Sequence, residues 1–91
     1  MKKAVKLEIY GTVQGMFLRS SIKETADKLS IKGYVRNRED GSVEAWFEGN
    51  GQDVDKLVEI CKEGPEHAVI KKMDITEETF QGLKEFKILK I

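Results

Sequence analysis

The stretch Gly11-Thr12-Val13-Gln14-Gly15-Met16-Phe17-Leu18-Arg19-Ser20 holds two glycines, a carboxamide, bulky apolar side chains and an arginine. Gly11 and Gly15 permit backbone conformations that other residues avoid, and they let the main chain approach a ligand closely. A helical pattern follows, whose first turn presents backbone N–H groups at the positive end of its dipole. A loop of this kind is a cradle for an anion, and a tetrahedral phosphate fits it. Arg19 adds a planar cation whose fork can hold two phosphate oxygens at once. Taken alone, the same residues equally describe a tight strand–helix connection with an exposed arginine.

The flanking elements decide where such a loop would sit. Val5, Leu7 and Ile9 alternate with Lys6, Glu8 and Tyr10, the period of a strand with one buried face. Past the loop, Ile22, Ala26 and Leu29 recur at helical spacing, with Ser20 or Ser21 as the expected cap and Glu24 in range to assist. A second strand is expected over 31–37, and Arg38-Glu39-Asp40-Gly41 as the turn after it. Val43, Ala45 and Phe47 then alternate with Glu44, Trp46 and Glu48, which places the glutamates on an open, polar face. A second helix opens at Asp53, turns Val54, Leu57, Val58 and Cys61 inward, and ends at Gly64-Pro65. Val69, Lys71, Met73 and Ile75 predict a fourth strand, with Lys71 marking a sheet edge or strand end. Phe86 and Ile88 close the chain as a last short strand. The order β-α-β-β-α-β predicts an α+β, ferredoxin-like sandwich: an antiparallel sheet with both helices on one face, in a single domain over residues 1–91.

Composition narrows the class further. The 91 residues, 40% hydrophobic and 35% charged, are those of a folded globular domain rather than a disordered chain. Lys and Arg number 16, as do Asp and Glu, so the basic surplus typical of nucleic-acid partners is missing. No apolar run reaches the length of a membrane span, and no signal-peptide pattern opens the sequence, so a cytoplasmic location is expected. The single cysteine, Cys61, falls on the apolar stripe of the second helix and is expected in the core. His67 is expected to be exposed in a loop. No cluster of His, Cys or carboxylates has metal-ligand spacing, so neither metal nor cofactor is expected.

Two segments together are more specific than either alone. GTVQGMFLR followed by GYVRNREDGSVE resembles the acylphosphatase signature, G-x-V-Q-G-V-x-F-R and G-[WY]-V-x-N-x-x-D-G-x-V, at the family's separation and with a helix between. EGPEHAV is similar to the family's segment before its fourth strand. The resemblance implies hydrolysis of the carboxyl–phosphate bond of a small acyl phosphate, with no metal and no covalent intermediate. It implies that Arg19 binds the phosphate, that Asn37 orients the attacking water, and that the backbone of Gln14, Gly15, Met16, Phe17, Leu18 and Arg19 forms the cradle. Inorganic phosphate would be both product and inhibitor. Met16 and Leu18 stand where the family usually has Val and Phe; both keep an apolar side chain able to pack beneath the loop. Phe17 falls at a variable position. Arg36, by alternation, points to the opposite face from Asn37 and is left out of the site, and the Gln14 side chain is read as a structural loop amide.

Two other classes of function share parts of this pattern. Tyr10, Tyr34 and Trp46 share the open face, as the base-stacking aromatics of RNA-recognition domains do. Lys32-Gly33-Tyr34-Val35 echoes the opening of their signature, but Arg36-Asn37 breaks it, and Glu8, Glu44 and Glu48 would repel a phosphate backbone, so no nucleic-acid partner is expected. A non-catalytic anion-binding or accessory domain of the same fold is the alternative to turnover. A monomer is expected.

Overall fold

A computed structural model describes residues 1–14, 16–64 and 69–90, and of Met16 the backbone only. The expectations placed on Gly15, Pro65 and His67 lie outside the described residues. The elements are β1 (Lys2–Thr12), α1 (Met16–Lys28), β2 (Lys32–Asn37), β3 (Val43–Asn50), α2 (Gly51–Glu63), β4 (Val69–Glu78) and β5 (Phe86–Leu89). The sheet order is β4-β1-β3-β2-β5. The pairs β1–β3, β1–β4 and β2–β3 are antiparallel as expected, while β5 joins β2 in parallel, so the five-stranded sheet is mixed.

Both helices pack on one face, over the inward register of the strands. Leu7, Ile9, Val35, Val43, Ala45 and Phe47 have no exposed surface, and Leu18, Ile22 and Ala26 of α1 and Val54, Leu57, Val58 and Cys61 of α2 close over them. Cys61 is a core residue, and burial pushes its thiol up to about 12. The stripe on α2 is the one read from spacing, although the helix opens earlier, at Gly51, with the Asn50 side chain accepting from the Gln52 N–H at 3.0 Å.

Three expectations need correction. The start of α1 is Met16, so Ser20 and Ser21 lie inside the helix and do not cap it. On β4 the inward register is not the alternation through Val69 and Lys71. The pairing steps from Tyr10↔Lys72 to Gly11↔Ile70, which leaves Lys71 as the extra residue of a bulge. Below that step Ile70 packs on the core and above it Met73 does, while Val69 and Ile75 are 56% and 44% exposed. β4 is nonetheless a sheet edge, the placement its lysine predicts.

The third concerns Glu48, which is fully buried rather than open to solvent. The segment between β4 and β5 folds over it: Glu48 accepts from the Trp46 indole at 3.0 Å, the Gln81 N–H at 2.9 Å and the Leu83 N–H at 2.7 Å. Lys2 lies 5.1 Å from the centre of the Phe80 ring and holds the same segment at its start. Burial pushes the Glu48 carboxyl up, but the Trp46 indole and the N–H groups of Gln81, Leu83 and Gly82 outweigh it, so the group lies below its ordinary value of 4.5. A depressed folded value makes this contribution complete above the unfolded value and lost as the pH falls through the folded one. Glu48→Gln would turn an amide N–H₂ toward N–H donors and is expected to cost about 1–3 kcal/mol in urea unfolding at neutral pH. Its stability should also fall less steeply than the parent's below pH 4.5.

Candidate active site

β1 and β2 run parallel to one another because each is antiparallel to β3. Ile9, Val43 and Asn37 therefore lie in one row across the sheet, and the chain leaves β1 and β2 at the same end. Asn37 continues the inward register of Gly33 and Val35, so its side chain lies on the helix-covered face. Arg36 points to the other face, where it meets Glu44 at 2.9 Å, as alternation predicts.

The loop after β1 begins with a close approach, though to protein and not to ligand. At Gly11, with φ of 136°, an added Cβ would stand 2.0 Å from the Val69 carbonyl oxygen across the bulge. Only glycine lets β1 and β4 meet there. Val13 is buried, and the helix starts three residues later, at Met16. Of the residues read as the cradle, Gln14 lies on the surface and Phe17 is 58% exposed. Leu18 is 3% exposed and belongs to the core, and Arg19 is half-buried. Leu18 thus packs beneath the loop, as its apolar character implies. Its neighbours Phe17 and Arg19 are by helical geometry turned away from the core to either side. Arg19 stands one turn before Lys23, whose ammonium donates to the Phe86 carbonyl of β5 at 2.9 Å. That contact identifies the side of α1 nearest β5 and β2, the side on which Asn37 lies.

The turn after Asn37 is closed by its own backbone. Arg38 N–H donates to the Ser42 carbonyl at 2.8 Å and Gly41 N–H to the Arg38 carbonyl at 3.2 Å, with Gly41 at φ of 91°. This is a three-residue hairpin loop with glycine at the position that needs a positive φ. Asp40 accepts from the Ser42 N–H at 2.9 Å and hydroxyl at 2.5 Å, bonds that hold its carboxyl below the usual range. The Gln14 carboxamide reaches across from the β1–α1 loop and donates to the carbonyls of Arg38 at 2.6 Å and Ser42 at 3.1 Å. From the opposite face the Arg38 guanidinium pairs with Glu8 of β1. These partners of the turn escaped sequence reasoning, since hydrogen bonds between distant loops leave no local pattern.

Within this frame the Asn37 side chain is distinctive. Its Oδ1 is buried, and it has no hydrogen-bond partner among the described residues. A buried acceptor left in that state costs about 1–3 kcal/mol, and native structures rarely retain one without a use. On the opposite, open face several polar and aromatic groups are engaged. Tyr34 donates to Glu44, the Tyr34 and Trp46 rings stack at 6.4 Å, and Lys72 lies 5.5 Å from the centre of the Tyr10 ring. Among the described residues no three His, Cys, Asp or Glu side chains come together as metal ligands. No helix among them is long and apolar enough to cross a membrane.

Element order, sheet order and helix placement define a ferredoxin-like α+β sandwich, with an arginine at the opening of α1 and an asparagine at the matching end of β2. Comparison with known proteins goes further. The Acylphosphatase family model matches residues 5–88. An acylphosphatase of Syntrophus aciditrophicus is 40% identical over 90 residues, covering 98% of this chain and 94% of the relative. The crystal structure of acylphosphatase from Bacillus subtilis superposes with a TM-score of 0.91 at 31% identity, covering 99% of this chain and 100% of that one. Full-length HypF, in a phosphate- and nucleotide-bound crystal structure, matches with a TM-score of 0.88 at 27% identity over 99% of this chain and 12% of its own. The chain belongs to the acylphosphatase family.

The burial of Leu18 makes the loop's fixation testable. Leu18→Ala is expected to lower stability by about 2–5 kcal/mol, measured by urea or thermal unfolding. Phe17→Ala, at a surface position, should change stability by no more than about 0.5 kcal/mol.

Proposed function

We propose that this chain hydrolyses small acyl phosphates with Arg19 and the 14–19 backbone holding the phosphate and Asn37 aiming the water. Family membership supplies the reaction: an acyl phosphate is cleaved to a carboxylate and inorganic phosphate. The assignment of roles rests above all on the Oδ1 of Asn37, buried with no partner among the described residues at the end of the sheet where the loop opens. A water hydrogen bonded there would satisfy that oxygen and have its lone pair directed by the bond. The amide cannot remove a proton at any ordinary pH, so Asn37 orients and does not act as a base.

The chemistry needs little more. Water oxygen bonds to phosphorus as the bond from phosphorus to the carboxylate oxygen breaks, and the electron pair leaves on the carboxylate. The water's proton passes to a phosphate oxygen of the substrate. A carboxylate is a good leaving group, so no strong general acid and no metal is required. Positioning and charge stabilisation provide most of the rate. The Arg19 guanidinium and the first-turn N–H groups of α1 act on the phosphoryl oxygens throughout.

The same reading treats residues 1–91 as one domain working as a cytoplasmic monomer, with inorganic phosphate as product and inhibitor and no nucleic-acid partner. A second reading, an anion-binding accessory domain without turnover, draws on the likeness to HypF, of which this fold is 12% of the chain. Benzoyl phosphate hydrolysis in the presence of a chelator separates the two. Arg19→Ala is expected to weaken inorganic phosphate binding by roughly 10–100-fold, the equivalent of losing hydrogen bonds to a charged group. Asn37→Ala is expected to lower kcat by roughly 100-fold or more while phosphate binding stays within about threefold. Parental turnover in Asn37→Ala would refute the water-orienting role.

A further inference from the structure

We infer that the Gln14 side chain is a positioning residue for hydrolysis, tying the phosphate loop to the turn behind Asn37 so that phosphate and water are held in one frame. The inference rests on the assignment of Asn37 to the attacking water.

The geometry begins with a conflict in Asn37 itself. An oxygen that is to aim a water must itself be held still, and Oδ1 has no protein donor to hold it among the described residues. The direction of that oxygen must then come from the backbone that carries it. Behind Asn37 the backbone passes directly into Arg38, whose carbonyl accepts from Gly41 N–H at 3.2 Å and from Gln14 Nε2 at 2.6 Å. The Ser42 carbonyl likewise accepts from Arg38 N–H at 2.8 Å and from Gln14 Nε2 at 3.1 Å. A carboxamide has two N–H donors and the turn offers two carbonyls, so the match is complete. The backbone bonds alone close the hairpin. The Gln14 bonds do something different, since they fasten it to the loop that is read as holding phosphate.

Chemistry restricts what could replace it. Glutamate has the same length and no donor when ionised, asparagine is one methylene shorter, and methionine keeps the volume without any N–H. The opposite side of the turn is held independently by the pairing of Arg38 with Glu8, again from β1. Loss of Gln14 would therefore leave the hairpin folded but free to shift against the loop. A displacement on the scale of 1 Å between water and phosphorus costs about 100-fold in rate.

Gln14→Ala and the volume-preserving Gln14→Met are compared with the parent in three measurements: steady-state benzoyl phosphate hydrolysis, inorganic phosphate affinity and thermal unfolding. Both variants are expected to lose roughly 10–100-fold in kcat, with KM and phosphate affinity within about threefold and a melting temperature close to the parent's. A purely structural amide would not produce that split. A kcat within twofold of the parent in folded Gln14→Met overturns the inference, as does a fall in phosphate affinity as large as the fall in kcat. The cycle with Asn37→Ala, followed with enzyme in excess, adds a direct test of the route. Gln14→Ala should change the residual rate of Asn37→Ala by less than twofold, and a full additional loss overturns action through Asn37. Should Asn37→Ala retain parental turnover, the water assignment fails and the inference with it. Should only the Gln14 variants be unimpaired, the assignment stands without it.

Discussion

The site depends on one constraint of the sheet: β1 and β2 run the same way and are separated by a single antiparallel strand. Neighbouring strands lie about 4.8 Å apart, so the row through Ile9, Val43 and Asn37 spans roughly 10 Å. That distance is set by backbone hydrogen bonds and is insensitive to side-chain choice. α1 must cross over β3 to join β1 to β2, and the crossing leaves its opening turn above the end of β1. Arg19 and Asn37 thus reach the same end of the same face by connectivity alone. Lys23, bonded to the β5 carbonyl at Phe86, keeps the helix from rolling on that face.

Among the described residues, the buried polar groups divide between those with partners and one without. Glu48 has no exposed surface, yet it is satisfied by the Trp46 indole and by backbone N–H groups of the segment leading into β5, which it fastens. Glu44 serves Tyr34 and Arg36, and Glu8 serves Arg38. These pairs lie on the open face and back the strands from behind. Asn37 Oδ1, on the helix side, is buried with no partner among the described residues. The stability lost at such a group must be recovered elsewhere, and the core formed by the inward register supplies it.

Periodicity revealed most of this architecture because parity is a local property. The inward residues of β1 and β3 and the apolar face of α2 are those their spacing predicts. The opening of α1 was missed because Ser20 and Ser21 resemble caps, whereas the true start lies among residues chosen for the loop. The bulge at Lys71 inverted the reading of β4, since alternation reports which residues share a face but not where one is inserted. Glu48 looked solvent-exposed because the segment that covers it has no period of its own. The candidate site was read by a different route. Chemistry alone reached only as far as an anion near Arg19. The paired motifs brought in Asn37, whose orphaned oxygen is visible only in three dimensions. Gln14 read as a plain loop amide because its partners are 24 and 28 residues away.

The bulge on β4 also bears on how molecules of this chain meet one another. β4 is an outer strand, and a flat outer strand offers a row of N–H and carbonyl groups on which a second chain can build a sheet. Here Lys71 interrupts that row as the extra residue of the bulge, and Lys72 follows it. Val69 and Ile75, the exposed apolar residues of β4, stand on either side of the interruption and cannot act as one continuous sticky edge. The irregularity at which Gly11 meets β4 therefore also makes this edge a poorer template for a second chain than a flat strand would be.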